Sequence, residues 1–355
     1  MKSNKLFITI SGAVIGIIAV LLVKFGNPAN MGFCIACFIR DTAGALKLHS
    51  APIVQYIRPE IIGLVLGSSI VAFAKKELIA RTGSNPLIRF VLGFFVMIGA
   101  LMFLGCPLRM MLRIGGGDFN AIIGLVGFVI GIGIGILALN KGFSLNRSYK
   151  VSSSESIVFP IIQIIFLAIL VLAPSLLAFS SEGPGSMHAP ILISLAAGLI
   201  VGGLAQRTRF CTVAGIRDSI MFKEFSMLYG FIALIVITVI VNLVFGYFNP
   251  GFEAQPVAHT DGLWNCLGMA LVGFGSVLLG GCPLRQLILS GEGNIDSVIS
   301  VVGMFVGAAF CHNFGLASSA EGPTMNGKIA VIASFIAIAA IVLLNISGNR
   351  KKGVK

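Results

Sequence analysis

Charge is what this 355-residue sequence is short of: 11% of its residues carry one, while 57% are hydrophobic. So few polar groups cannot cover a soluble globule of this length, and the mean hydropathy of +1.01 assigns the chain to a lipid bilayer. Acid is scarcer than base, with 13 Asp and Glu against 25 Lys and Arg. Yet tryptophan occurs once, no basic stretch is interleaved with aromatics, and the charges gather at the ends of apolar runs. The net charge of +12 therefore points to anionic headgroups and topology rather than to nucleic acid. No Walker-type glycine-rich Lys-Ser/Thr word is present, so the chain does not itself hydrolyse ATP. The seven cysteines are odd in number and lie almost all in or beside apolar segments, which excludes an extracellular disulfide framework. The first apolar run, Phe7 to Val23, lacks a convincing small-residue cleavage site and is read as a retained span.

What the sequence does have is a word used twice. Gly105-Cys106-Pro107-Leu108-Arg109 returns as Gly281-Cys282-Pro283-Leu284-Arg285, each time after an apolar run and before a glycine-rich turn. A second pair of words precedes the first: Phe33-Cys34-Ile35-Ala36-Cys37-Phe38-Ile39-Arg40-Asp41 and Phe210-Cys211-Thr212-Val213-Ala214-Gly215-Ile216-Arg217-Asp218. Two motifs in one order at nearly one spacing define an internal duplication. The expected organisation is a first membrane repeat over residues 1–140, a linker with one span over 141–184, a second repeat over 185–318, and a final span with a basic tail over 319–355.

Ten apolar runs approach the ~20 residues that a spanning helix needs. They begin near Phe7, Glu60, Leu87, Phe119, Ile157, Pro190, Leu228, Leu263, Ile295 and Lys328, and the run from Glu60 is short. With both termini cytoplasmic, the inner segments hold 18 of the 25 basic residues, as the positive-inside rule requires. The second half then starts five spans after the first, an odd offset that turns it upside down. The expected fold is all-α and polytopic, with nine to ten spans in two inverted repeats, the plan of many secondary transporters.

The repeated words do not read as continuous spans. Proline lacks an N–H and drives the residue before it out of the α region, so Gly-Cys-Pro breaks a helix, and the segment after it is too short to cross. Half-helices are expected, with Pro107 and Pro283 in their first turns. The N–H groups and positive dipole end of such a half-helix suit an anion. Cys34, Cys106, Cys211 and Cys282 recur at matched positions beside arginines, and Arg109 and Arg285 have no acid within their word, so these six are the candidate substrate path. Arg40-Asp41 and Arg217-Asp218 read equally as structural ion pairs, which leaves Arg40, Arg217 and Cys37 as secondary candidates. Cys37 is answered by Ala214, which weakens a redox or metal reading of Cys34-x-x-Cys37. A zinc site is disfavoured because an arginine beside each thiolate repels a cation. No metal or other cofactor is expected. His188 and His312 read as packing or loop residues.

At Gly-Cys-Pro-Leu-Arg and at Gln206-Arg207-Thr208-Arg209-Phe210-Cys211, the sequence resembles the YeeE/YedE family of sulphur-transport membrane proteins over nearly its whole length. The resemblance implies a multi-pass bacterial plasma-membrane or inner-membrane protein of hourglass shape that carries thiosulfate into the cell. It further implies substrate passage by S–H···S contacts at Cys34, Cys106 and Cys282, and sometimes a small cytoplasmic sulphur-carrier protein as partner. The additional Cys37 and the His188-Ala189-Pro190 context resemble the branch associated with selenium metabolism, so a selenium compound stands beside thiosulfate as substrate. Two other readings stay open: a membrane thiol-disulfide or sulphur-transfer enzyme that cycles Cys34 and Cys37, and a structural component that recruits a cytoplasmic sulphur- or selenium-handling protein.

Overall fold

A computed structural model describes residues 2–146 and 148–351; Arg147 and the end of the basic tail, 352–355, lie outside the described residues. The first half runs through α1 (Lys2–Lys24), α2 (Ile35–Ala45), α3 (Pro59–Ala74), α4 (Pro86–Met102), α5 (Pro107–Gly115) and α6 (Phe119–Asn140). A linker follows with α7 (Val158–Leu172) and the single turn α8 (Gly183–Ser186). The second half repeats the series as α9 (Ile191–Thr208), α10 (Thr212–Phe222), α11 (Ser226–Phe245), α12 (Gly262–Leu279), α13 (Pro283–Gly291) and α14 (Ile295–Asn313), and α15 (Met325–Lys351) closes it. Among the described residues, nine helical segments are long and apolar enough to cross a membrane, and α3, with 16 residues, falls short of that length. Leucines such as Leu172, Leu192 and Leu344 stay more than 70% exposed on these helices, which is stable only against lipid. The chain is an all-α polytopic membrane protein.

Which helices pack together follows from the duplication. In the first half α1 leans on α11 and α6 on α12; exchanging the halves turns these pairs into α9 on α3 and α14 on α4, and both are present. Gly12 of α1 lies against Gly230 of α11, and Gly16 against Leu234 and Thr238, so that pair runs parallel. Gly63 of α3 meets Leu195 and Gly198 of α9, and Gly67 meets Leu199, again parallel. Counterparts run the other way. Gly99 of α4 meets Gly268 of α12 while Val96 meets Gly275, and the end of α1 at Gly26 sits beside His188, just before α9 starts. The second half is therefore inverted with respect to the first, in keeping with the odd offset of five reached when the short α3 is counted among the spans.

Each span that follows a Gly-Cys-Pro-Leu-Arg word is started by a capping side chain. Asp118 accepts from Asn120 N–H (2.9 Å) to begin α6, and Asn294 from Ser297 N–H (2.9 Å) to begin α14. The turn before each cap passes through a glycine with positive φ, Gly117 at +95° and Gly293 at +92°, which an L side chain resists. Each turn is then sealed by a loop from the opposite half. Asn249 and Gly251 N–H bond Gly116 and Gly117 carbonyls at one end, and Ile79 and Arg81 N–H bond Glu292 and Gly293 carbonyls at the other. The latter loop is stiffened by the short ribbon of β1 (Arg81–Thr82) with β2 (Tyr149–Lys150).

Candidate functional site

All four duplicated cysteines are N-cap residues: Cys34 of α2, Cys106 of α5, Cys211 of α10 and Cys282 of α13. The expected half-helices are in place, with Pro107 and Pro283 in the first turn. The leading glycine of each word has a packing reason. A Cβ on Gly105 would lie 2.9 Å from Arg109 Cδ, and one on Gly281 2.9 Å from Arg285 Cγ, so the arginine stem folds across the glycine.

The cysteines form two pairs rather than one cluster. Ile35 N–H donates to Cys106 Sγ (3.2 Å) and Cys37 N–H to Cys34 Sγ (3.3 Å), while the Cys34 and Cys37 sulphurs lie 2.7 Å apart. In the second half, Cys282 N–H donates to Cys211 Sγ (3.4 Å). Sulphur thus occupies the helix N-termini where an anion's acceptors bind. The pairs sit toward opposite ends of the antiparallel α4–α12 contact. His259 Nε2 meets Met102 O (2.8 Å) near the first pair, and Arg89 Nη1 donates to Leu279 O (2.8 Å) near the second. At 1.5 Å per residue between Arg89 and Met102, these levels are roughly 20 Å apart.

The two repeated arginines have different surroundings. Arg109 is fully buried and, among the described residues, meets no carboxylate. Its Nε donates to Asn30 O (3.3 Å), Nη1 to Leu104 O and Cys37 Sγ (3.8 Å), and Nη2 to Pro256 O and Val257 O (3.2 Å each). Leu104 presents its carbonyl from a left-handed conformation, φ +61°, where the second copy has Gly280 at +79°. A non-glycine residue held there costs on the order of 1 kcal/mol. Arg285, by contrast, donates through Nη1 to Glu292 Oε1 (2.9 Å), the distant carboxylate that its word lacks.

The secondary candidates are ion-paired. Arg40 binds Asp41 (2.7 Å), whose other oxygen takes Arg58 (2.7 Å), and Arg217 binds Asp218 (2.8 Å). Arg58 was not legible as a partner: it is fully buried and also holds the Pro184 and Met187 carbonyls of the turn before α9. Its signal was the Arg-Pro-Glu opening of the short apolar run. Glu60, also fully buried, takes Asn27 Nδ2 (2.8 Å) and Ser194 Oγ (3.0 Å), tying the ends of α1, α3 and α9. On α5, Arg113 pairs with Asp118 at 2.6 Å and lies over the Phe103 ring. His188 stacks on Tyr56 (4.0 Å between centroids) and His312 on His49 (4.7 Å). The loop from Asn249 to Gly262 folds back over the first site, because Arg109 and Asn120 draw its carbonyls inward.

Residues 207–347 match the family described as sulphur transport. The thiosulfate transporter TsuA of Escherichia coli (strain K12) is 34% identical over 115 residues, 32% of this chain and 32% of that protein, so the match spans about a third of the relative's length. The duplicated cysteine words and the inverted helix pairing agree with both matches, and over residues 207–347 the chain is similar to sulphur-transport membrane proteins.

Proposed function

We propose that the protein moves a small sulphur-bearing dianion of the thiosulfate type across the bacterial plasma membrane, inward, with both termini cytoplasmic. The observation that carries this reading is Arg109: a fully buried guanidinium with no carboxylate among the described residues, beside the thiols of Cys34, Cys37 and Cys106. A lone cation in a low-dielectric site is costly unless an anion joins it. Backbone carbonyls satisfy its donors but leave its charge standing. The same site offers S–H groups, weak soft donors that replace part of an anion's hydration without trapping it. From this level the anion descends to the Cys211–Cys282 pair and leaves past Arg285. The small cytoplasmic sulphur carrier that the family resemblance implies would receive it there. Selenium analogues of similar size and charge fit the same donors.

The test is uptake of labelled thiosulfate into proteoliposomes by the wild type, Cys106→Ala and Cys282→Ala, with folding checked by thermal shift and with unlabelled selenite and selenosulfate as competitors. Uptake by wild type and its loss in both folded variants is the expected result. A well-folded wild type that takes up none of these anions sinks the proposal. The 2.7 Å approach of Cys34 and Cys37 sulphurs favours one other reading, a thiol-disulfide enzyme. That reading requires Cys37→Ala to abolish function, although the matched position is Ala214.

A further inference from the structure

The two copies of the Gly-Cys-Pro-Leu-Arg word pack their arginine stems alike but send the guanidinium groups in opposite directions. Arg109 curls back over Gly105 toward the N-terminus of α5, where it reaches Leu104 O, Asn30 O and Cys37 Sγ. The Arg285 stem also packs on Gly281, through Cβ and Cγ, but its guanidinium turns forward along α13 and ends on Glu292, two turns away at the C-cap. The equivalent of Glu292 in the first half is Gly116, so only the second half supplies the carboxylate. Glu292 is fixed in turn, since its carbonyl accepts Ile79 N–H (3.2 Å) from the loop that seals this end. The pair is partly open, with 12% of the Arg285 side chain and 19% of the Glu292 side chain exposed, whereas Arg109 is closed off.

We infer that Glu292 is a release residue, an internal carboxylate that competes with the transported dianion for Arg285. This rests on the transport reading above. With the anion at Cys282, Arg285 takes the backward pose that Arg109 displays and closes on it. Swinging forward to Glu292 withdraws the guanidinium and lets the anion go. The first site has no such competitor, so it gathers anions; the second has one, so it surrenders them. Both charges of the pair survive each exchange and no bond is made or broken.

Slowing the last step of a transport cycle lowers Vmax and KM by the same factor and leaves Vmax/KM alone. Removing the competing charge in Glu292→Gln therefore lowers both for thiosulfate uptake, by roughly five-fold for a partly exposed pair. Glu292→Asp, which keeps the charge one methylene shorter, restores most of both. The measurement is initial-rate uptake into proteoliposomes for wild type, Glu292→Gln and Glu292→Asp over a range of thiosulfate concentrations, normalised to folded protein by thermal shift. A fall in Vmax at constant KM, equal in the Gln and Asp variants, marks a structural role and overturns the inference. So does Glu292→Gln with wild-type Vmax and KM. Should wild type itself show no uptake, the transport reading fails first and the inference falls with it, a result distinct from either of the others.

Discussion

Arg109 and Arg113 lie one turn apart on α5, both fully buried, yet only Arg113 is paired with a carboxylate among the described residues, and under the proposed function replacing each by methionine separates stability from transport. Arg113 neutralises Asp118 at 2.6 Å, and Asp118 also caps α6. Arg113→Met leaves that carboxylate buried and unpaired, which costs about 3–5 kcal/mol. Arg109→Met strands no charge. It leaves the Asn30 and Leu104 carbonyls without their donor, about 1–3 kcal/mol each, while Pro256 and Val257 sit on a loop whose carbonyls can turn to water. Against this stands release of the several kcal/mol spent on burying a lone guanidinium, so the net change is within about 2 kcal/mol of zero. Apparent melting temperature in detergent at one scan rate, read beside thiosulfate uptake, makes the comparison. Arg113→Met is expected to melt well below wild type, and Arg109→Met to melt near it and carry no thiosulfate. If Arg109→Met transports at the wild-type rate, or is destabilised as deeply as Arg113→Met, the assignment of Arg109 to the anion is refuted.

Cys37→Ala is expected to keep uptake within about two-fold of wild type and cost on the order of 1 kcal/mol for the lost sulphur contacts, measured in the same proteoliposomes; loss of uptake favours the thiol-disulfide reading. Gly117→Ala and Gly293→Ala force an L side chain to φ +95° and +92°, and each Cβ also meets backbone from the sealing loop or its neighbour, so each is expected to lose at least ~1 kcal/mol in thermal unfolding. Burial holds His49, His188 and His259, all in loops outside the spans, below the usual histidine range. The unfolded chain therefore takes up protons first as pH falls below about 6.5, the ordinary histidine value. Stability is full above that pH and declines as acidification proceeds toward the folded values; a melting temperature that is flat or rising from pH 7.5 to 5.5 contradicts this.

The two-fold plan was legible because it is written in repeated words and in a parity. Gly-Cys-Pro announces a helix break, and the odd span offset announces inversion; both depend on local chemistry and counting, which a sequence carries directly. The partners of the charged groups were not legible, since they come from segments far apart in the chain. Asp41 reaches Arg58 across 17 positions and Arg58 reaches Pro184 across 126, and no periodicity encodes either. The same holds for the loop over Arg109, whose Pro256 and Val257 carbonyls come from the other half. Its composition says only that it is a turn-rich connection. Pseudo-symmetry supplies what composition cannot, because the loop that seals α5 from one half has a counterpart that seals α13 from the other.

Where the halves agree they make the scaffold, and under the proposed function the positions where they differ divide the work between the two ends of the path. The glycine, cysteine, proline and leucine of each word reproduce the same break, cap and stem packing on both copies, so none of them can distinguish outward from inward. Direction must come from positions that broke the symmetry: Cys37 against Ala214, Leu104 against Gly280, Gly116 against Glu292, and Arg113 with Asp118 against Leu289 with Asn294. At the first level these changes leave a buried cation uncompensated beside three thiols, and at the second they provide a partly exposed cation with a carboxylate of its own. A dianion gains more from the first charge than from the second, since attraction to an already neutralised guanidinium is weaker. Reintroducing symmetry at one position, with Gly116→Glu, would give Arg109 its own carboxylate. That variant is expected to raise the KM for thiosulfate by an order of magnitude or more while Vmax changes little, whereas Gly116→Gln, of the same bulk, separates charge from the crowding against Asn30. Equal effects from the two substitutions would mean that space, not charge, governs the first site.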